Sequence, residues 1–252
     1  MENIPPGTKV ILLDLIGTTT PYSFFREKLP AYAREHLSDF IRRFRAIPEI
    51  KSALADLKRM HSDDLKAGEN PPPWHAEDLE SDIRCIADYC SWLIDHHSVA
   101  SPLRYLEDFV WEEGYRNGTL RGEVYPEMPD AMAKLKSIGL QICTYSSGSV
   151  FSQQLIFSTT KFGDLLHLIR GFFDTSVGPK NEPESYSNIS AILGMKPREI
   201  MYFSGSLEEV IAAGNAGLNA ILMVRDGALG SEREGVRSMP DFSEFTRIGI
   251  GP

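Results

Sequence analysis

Positive charge is in short supply in this chain: 26 lysines and arginines face 35 aspartates and glutamates, a formal net charge of −9. Nucleic acids and anionic membrane surfaces are gripped by basic patches, so neither is an expected partner. Long apolar runs are also lacking. The longest near the N-terminus, Val10 to Ile16, is broken by Asp14. It is too short for a membrane span, and no basic leader with a cleavage site marks a signal peptide, so a cytoplasmic location is expected. Cysteine is scarce. Cys85, Cys90 and Cys143 have no metal-ligand spacing and cannot all pair with one another, which predicts free, buried thiols in a reducing compartment. No repeat or low-complexity tract is visible.

What is present suits a globular protein. At 252 residues, with 42% hydrophobic and 24% charged residues, the chain can bury a large core, either as one domain or as a core with an inserted cap. Helix formers run from Ser23 to Phe44, interrupted by Pro30, and again from Ile47 to Leu65. Ile83, Ile86, Ala87, Cys90, Leu93 and Ile94 recur at helical spacing, and Pro102 to Tyr115 carries a second amphipathic stripe. The texture changes from Val124 onward. Helix Pro129 to Ile138 precedes strand Leu140 to Tyr145, helix Pro183 to Leu193 precedes strand Ile200 to Phe203, and helix Leu207 to Ala216 precedes strand Ala220 to Val224. Such alternation predicts an α/β fold with a parallel sheet covered on both faces. The apolar first strand needs partners in that sheet. Residues 1–20 and 123–252 are therefore expected to form the α/β core, and residues 21–122 an inserted all-helical cap.

In open α/β sheets, ligands bind outside the carboxyl ends of the strands. Asp14, Ser146 and Ser204 each follow such an end and are expected to meet in one crevice. Asp14, followed by Gly17 and Thr18, could serve as nucleophile or base. Ser146, Ser147 and Gly148 make a turn able to cradle an anion. Lys180 opens a helix, where a cation is unfavourable unless it faces negative charge.

Leu13-Asp-Leu-Ile-Gly-Thr-Thr-Thr-Pro-Tyr-Ser-Phe24, Trp111-Glu-Glu-Gly-Tyr115, Tyr145-Ser-Ser-Gly-Ser-Val150 and Phe173-Asp-Thr-Ser-Val-Gly-Pro-Lys180 through Tyr186 together resemble the enolase-phosphatases. These acireductone synthases of methionine salvage belong to the haloacid dehalogenase-like (HAD) superfamily. The resemblance covers nearly the whole chain. It implies a Rossmann-like HAD core with a helical cap, and magnesium. Its substrate is a phosphorylated diketone that is enolised and then dephosphorylated. By this match Asp14 would be the nucleophile, Ser146 and Ser147 would bind phosphate, and Lys180 would neutralise charge. Val99 and Glu107 align with substrate-facing cap positions of the family, and Trp111 is counted with them.

The chain departs from that pattern at two positions. Ile16 stands where the family has a glutamate, and Gly205 where it has a metal-binding aspartate, leaving Glu209 of the acidic pair. The true haloacid dehalogenases lack the same two acids and use no metal. Ser204, Ser206 and Glu209 fall at the offsets of their fourth motif, and Lys180 and Tyr186 keep their spacing. Arg26 and Arg34 are candidates for the halide-binding arginine, and Asp14 is left with Lys180 as its main counter-charge.

A positioned acid or base contributes ~10²–10⁴-fold to rate. From the two departures we expect a repurposed enzyme with no cofactor and no metal site. It would be a cyclase, isomerase, lyase or C–X hydrolase acting on a small enolisable or carbonyl substrate in specialised metabolism. The alternatives are a residual, magnesium-dependent acireductone synthase and a non-catalytic relative. A monomer or weak homodimer is expected, and His96 and His97 are expected to be solvated at a helix end.

Overall fold

The computed structural model describes residues 4–225 and 235–246. By its internal contacts the chain divides into two compact units, Met1–Phe24 with Arg121–Pro252, and Phe25–Leu120. The first is an α/β unit. Among the described residues its six strands are β1 (Val10–Leu13), β2 (Gln141–Tyr145), β3 (Gly171–Phe173), β4 (Ile200–Ser204), β5 (Asn219–Met223) and β6 (Ser238–Met239). They lie in the order β3-β2-β1-β4-β5-β6, every neighbouring pair parallel.

β1 reads Val-Ile-Leu-Leu and is buried at all four residues. A strand covered on both faces needs such a continuous apolar run rather than alternation. It pairs with β2 through Leu13↔Thr144 and with β4 through Leu13↔Phe203, which brings the carboxyl ends of three strands level.

The second unit is four helices: α1 (Leu29–Phe44), α2 (Pro48–Ala67), α3 (Leu79–Asp95) and α4 (Ser101–Asn117). The predicted helix from Ser23 begins only at Leu29, after a π-helical turn over Phe24–Lys28. Pro30 sits in the first turn of α1, where its missing N–H costs nothing. Asp78 and Ser81 cap α3 reciprocally. Leu37, Leu57, Tyr89, Cys90 and Leu106 lie in its core without exposure. Each such aliphatic side chain contributes roughly 1.5–3 kcal/mol through burial.

Among the described residues, five further helices belong to the α/β unit: α5 (Met128–Ser137), α6 (Val150–Ser158), α7 (Pro183–Leu193), α8 (Leu207–Asn215) and the short α9 (Ser243–Thr246). All three cysteines are free thiols; Cys90 and Cys143 are buried, whereas Cys85 is half-buried. No described helix is long and apolar enough to cross a membrane.

Candidate active site

Asp14 leaves the end of β1 with its backbone N–H bonded to the Phe203 carbonyl (2.9 Å), so the neighbouring strand fixes its position. Its carboxylate is buried and receives the ammonium of Lys180. The same ammonium reaches Glu209 Oε2 at 2.8 Å. Ser204 Oγ donates to Glu209 Oε2 (2.7 Å) and lies 3.5 Å from Asp14 Oδ2. Thr18 Oγ1 is also 3.5 Å from that oxygen, and it accepts the Gly205 N–H at 2.9 Å. Ser206 caps α8, accepting the Glu209 N–H, which aims the Glu209 side chain back toward β4.

Burial raises the Asp14 carboxyl above its ordinary value; Lys180 pulls it down and the Glu209 charge pushes it up again. Burial pulls Lys180 the other way, but the two carboxylates outweigh it and hold the amine above its ordinary value. Lys180 is thus a permanent cation shared by two acids, one of them resisting ionisation.

Behind this cluster stands a file of three tyrosines. Tyr202 donates to Glu209 Oε2 (2.7 Å), Tyr186 to the Lys180 carbonyl (2.6 Å) and Tyr145 to the Gly178 carbonyl (2.7 Å). Their rings meet edge to face. Tyr186 was read from the sequence as part of the binding set. In the fold it is fully buried and holds the backbone of Lys180.

The turn after β2 is fastened from below. Ser146 is buried and its Oγ accepts the Gly148 N–H at 3.2 Å, while Ser147 is exposed. Gln153, in the first turns of α6, is completely buried. Its amide donates to the carbonyls of Gly148 (3.0 Å) and Phe173 (2.8 Å) and accepts from Thr144 Oγ1 (2.6 Å). Arg225 does the same for the other turn, donating to the Thr18 carbonyl at 2.6 Å and pairing with Glu127. Neither Gln153 nor Arg225 was singled out from the sequence.

One pocket of about 440 Å³ collects Asp14, Ile16, Tyr22, Ser147, Lys180, Ser206 and Glu209. Thr18, Ser146 and Ser204 are buried against its lining. In the helical unit, Val99 is 74% exposed and Glu107 is buried. The Trp111 indole donates to the Leu29 carbonyl at 3.0 Å. Burial pushes the Glu107 carboxyl up to about 7. Arg34 is paired with Asp95, and His96 and His97 are exposed.

A family model for haloacid dehalogenase-like hydrolases matches residues 8–217. Enolase-phosphatase E1 of Drosophila melanogaster is 38% identical over 96% of this chain and 94% of its own length. The Pseudomonas fluorescens enolase-phosphatase E1 is 37% identical over 93% and 96%. The chain belongs to the enolase-phosphatase family of haloacid dehalogenase-like hydrolases. Among solved structures, the UTR4 protein of Saccharomyces cerevisiae superposes with a TM-score of 0.72 at 25% identity, over 94% of this chain and 99% of that one. A dehalogenase shares the fold at 17% identity, over 95% of this chain and 96% of that one, with a TM-score of 0.54. This HAD-family hydrolase therefore has the expected α/β core.

These relatives correct two expectations. Repurposed chemistry of the cyclase, isomerase, lyase or C–X hydrolase kind is overturned, because enolase-phosphatases match over nearly the full chain while the dehalogenase likeness is one of fold alone. The expectation of no cofactor falls with it, since the enolase-phosphatase family implies magnesium. The donor chemistry fits the ion: Mg²⁺ is usually held by one or two carboxylates, with waters and substrate phosphate completing the shell. Asp14 and Glu209 converge as such a pair. Among the described residues no third acid, histidine or cysteine joins them.

Proposed function

We propose that this HAD-family hydrolase is an enolase-phosphatase, taking a phosphorylated diketone through enolisation and dephosphorylation. The supporting observation is the Lys180 ammonium shared by Asp14 and Glu209, in the same pocket as Ser147. A phosphoryl group entering that pocket meets a fixed cation, a carboxylate and a serine turn. Asp14 attacks phosphorus, and strand pairing on both sides of β1 limits the orientations it must search. Lys180 balances charge on the transferring group and the exposed Ser147 hydroxyl binds a phosphoryl oxygen, while the Gly148 N–H stays with Ser146 and shapes the turn. Ser146, Ser204, Thr18, Ser206 and Tyr186 hold those groups in place. Asp14 and Glu209 would hold magnesium, which supplies charge stabilisation to the phosphoryl oxygens. In the helical unit, read as residues 21–122, Val99, Glu107 and Trp111 are assigned to substrate recognition.

The test is phosphate release and enol absorbance from the phosphorylated diketone, with magnesium present. Asp14→Asn is expected to lower phosphate release by ~10³-fold or more while the melting temperature holds. Absence of phosphate release from the unaltered chain would overturn the reading.

A further inference from the structure

The two departures from the family pattern, Ile16 and Gly205, surround a third residue. A Cβ placed on Gly17 would lie 2.1 Å from Tyr22 Cε2, and Gly17 has a φ of +70°, which glycine alone adopts at little cost. A Cβ placed on Gly205 would lie 2.9 Å from Tyr22 Oη, and 3.3 Å from the Ile16 carbonyl oxygen. The two glycines thus form a slot that the Tyr22 ring fills, with its hydroxyl in the space where a side chain at position 205 would begin. Tyr22 is 42% exposed and lines the same pocket as Asp14, Lys180 and Ile16. An isoleucine has no proton to give. Lys180 is held by two carboxylates, and Glu209 accepts from Lys180, Tyr202 and Ser204. A phenol keeps its proton at neutral pH and carries it at the end of a rigid ring.

We propose that Tyr22 is a catalytic residue, its hydroxyl protonating the leaving oxygen of a phosphate ester. This rests on the dephosphorylation reading above. As Asp14 Oδ bonds to phosphorus, the ester P–O bond breaks and its electron pair stays on the departing oxygen, which takes the Tyr22 proton. Water then attacks the aspartyl phosphate and gives a proton back to the Tyr22 phenolate, releasing phosphate and the Asp14 carboxylate. The sum is ester plus water to alcohol plus phosphate. Gly205 is then the space that this donor requires.

The experiment compares two probes with magnesium present: an alkyl phosphate, whose leaving oxygen must be protonated, and para-nitrophenyl phosphate, whose leaving group departs as the anion. Tyr22→Phe is expected to lose ~10²–10³-fold in kcat on the alkyl ester and only a few-fold on the nitrophenyl ester. Gly205→Ala, which pushes on Tyr22 Oη, is expected to show the same selectivity, and the double variant to be no worse than Tyr22→Phe alone. Equal losses on both esters would make Tyr22 structural and overturn the proposal while the phosphatase reading stands. Glu208 is exposed and lines the same pocket, and the selective loss appearing in Glu208→Gln instead would make that acid the donor and overturn the proposal. An unaltered chain inert toward both esters and toward the phosphorylated diketone would overturn the reading and the proposal together.

Discussion

The two units bury charge in opposite ways. In the α/β unit, Asp14, Lys180 and Glu209 lie together under a cover of hydroxyl donors, so each buried carboxylate meets the same cation. In the helical unit the cations stay at the surface, as in Lys58–Asp82 (2.6 Å) and Arg34–Asp95 (2.5 Å), while Glu107 is buried. Burial is the main cause of its raised carboxyl value, with Arg104 opposing it and Asp108 adding to it. Opposite charges within a buried cluster offset part of each other's desolvation; a carboxyl without a close ammonium answers burial by holding its proton. The first arrangement holds an ammonium charged between two acids, and the second makes a carboxyl that changes state near neutrality.

That contrast can be broken at three places, in falling order of effect. Lys180→Met removes the shared cation and leaves Asp14 and Glu209 facing each other. We expect a loss of about 3–5 kcal/mol in urea unfolding at pH 8. The loss should be smaller at pH 5, because an Asp14 carboxyl already raised by burial and by Glu209 can then take a proton. An equal loss at both pH values would show that the cluster acts through packing alone.

Glu107→Gln probes the second arrangement. The folded-state value of about 7 lies above the ordinary 4.5. The folded protein therefore holds this proton more tightly, and the associated stability is complete below about 4.5 and lost as pH rises through about 7. The shift corresponds to about 3 kcal/mol. Glutamine should flatten the fall in stability between pH 5 and 8 and leave the variant more stable at the upper end. Lys58→Ala, at the exposed pair with Asp82, should cost less than about 1 kcal/mol, shrinking further in high salt.

Regular elements with strong periodicity were legible in the sequence. β1, α3 and α7 announce themselves through an apolar run, a helical stripe and a Pro-to-Gly frame. β3 was missed because three residues are too short to show a period. α6 was missed because Val-Phe-Ser-Gln-Gln-Leu-Ile-Phe-Ser has apolar residues on every side. Asp14 could be read because it follows the end of β1, whereas Lys180, expected to open a helix, stands in the turn three residues before α7. The role of Gln153 is set by carbonyls from two other segments, and that of Tyr22 by a glycine far along the chain. Local sequence carries no record of such partners. Gly205 shows the same: its missing carboxylate was legible in the sequence, and the room it leaves for the Tyr22 phenol was not.

The position of β1 in the sheet also bears on timing. With a parallel neighbour on each side and no exposed residue, it lies far from the sheet's edges, where backbone hydrogen bonds open first. Its amides should be among the slowest in the chain to exchange with solvent. Asp14 is bonded through its own N–H to β4, so it can lose its place only when the centre of the sheet opens. Short of unfolding, the Asp14 carboxylate keeps its address.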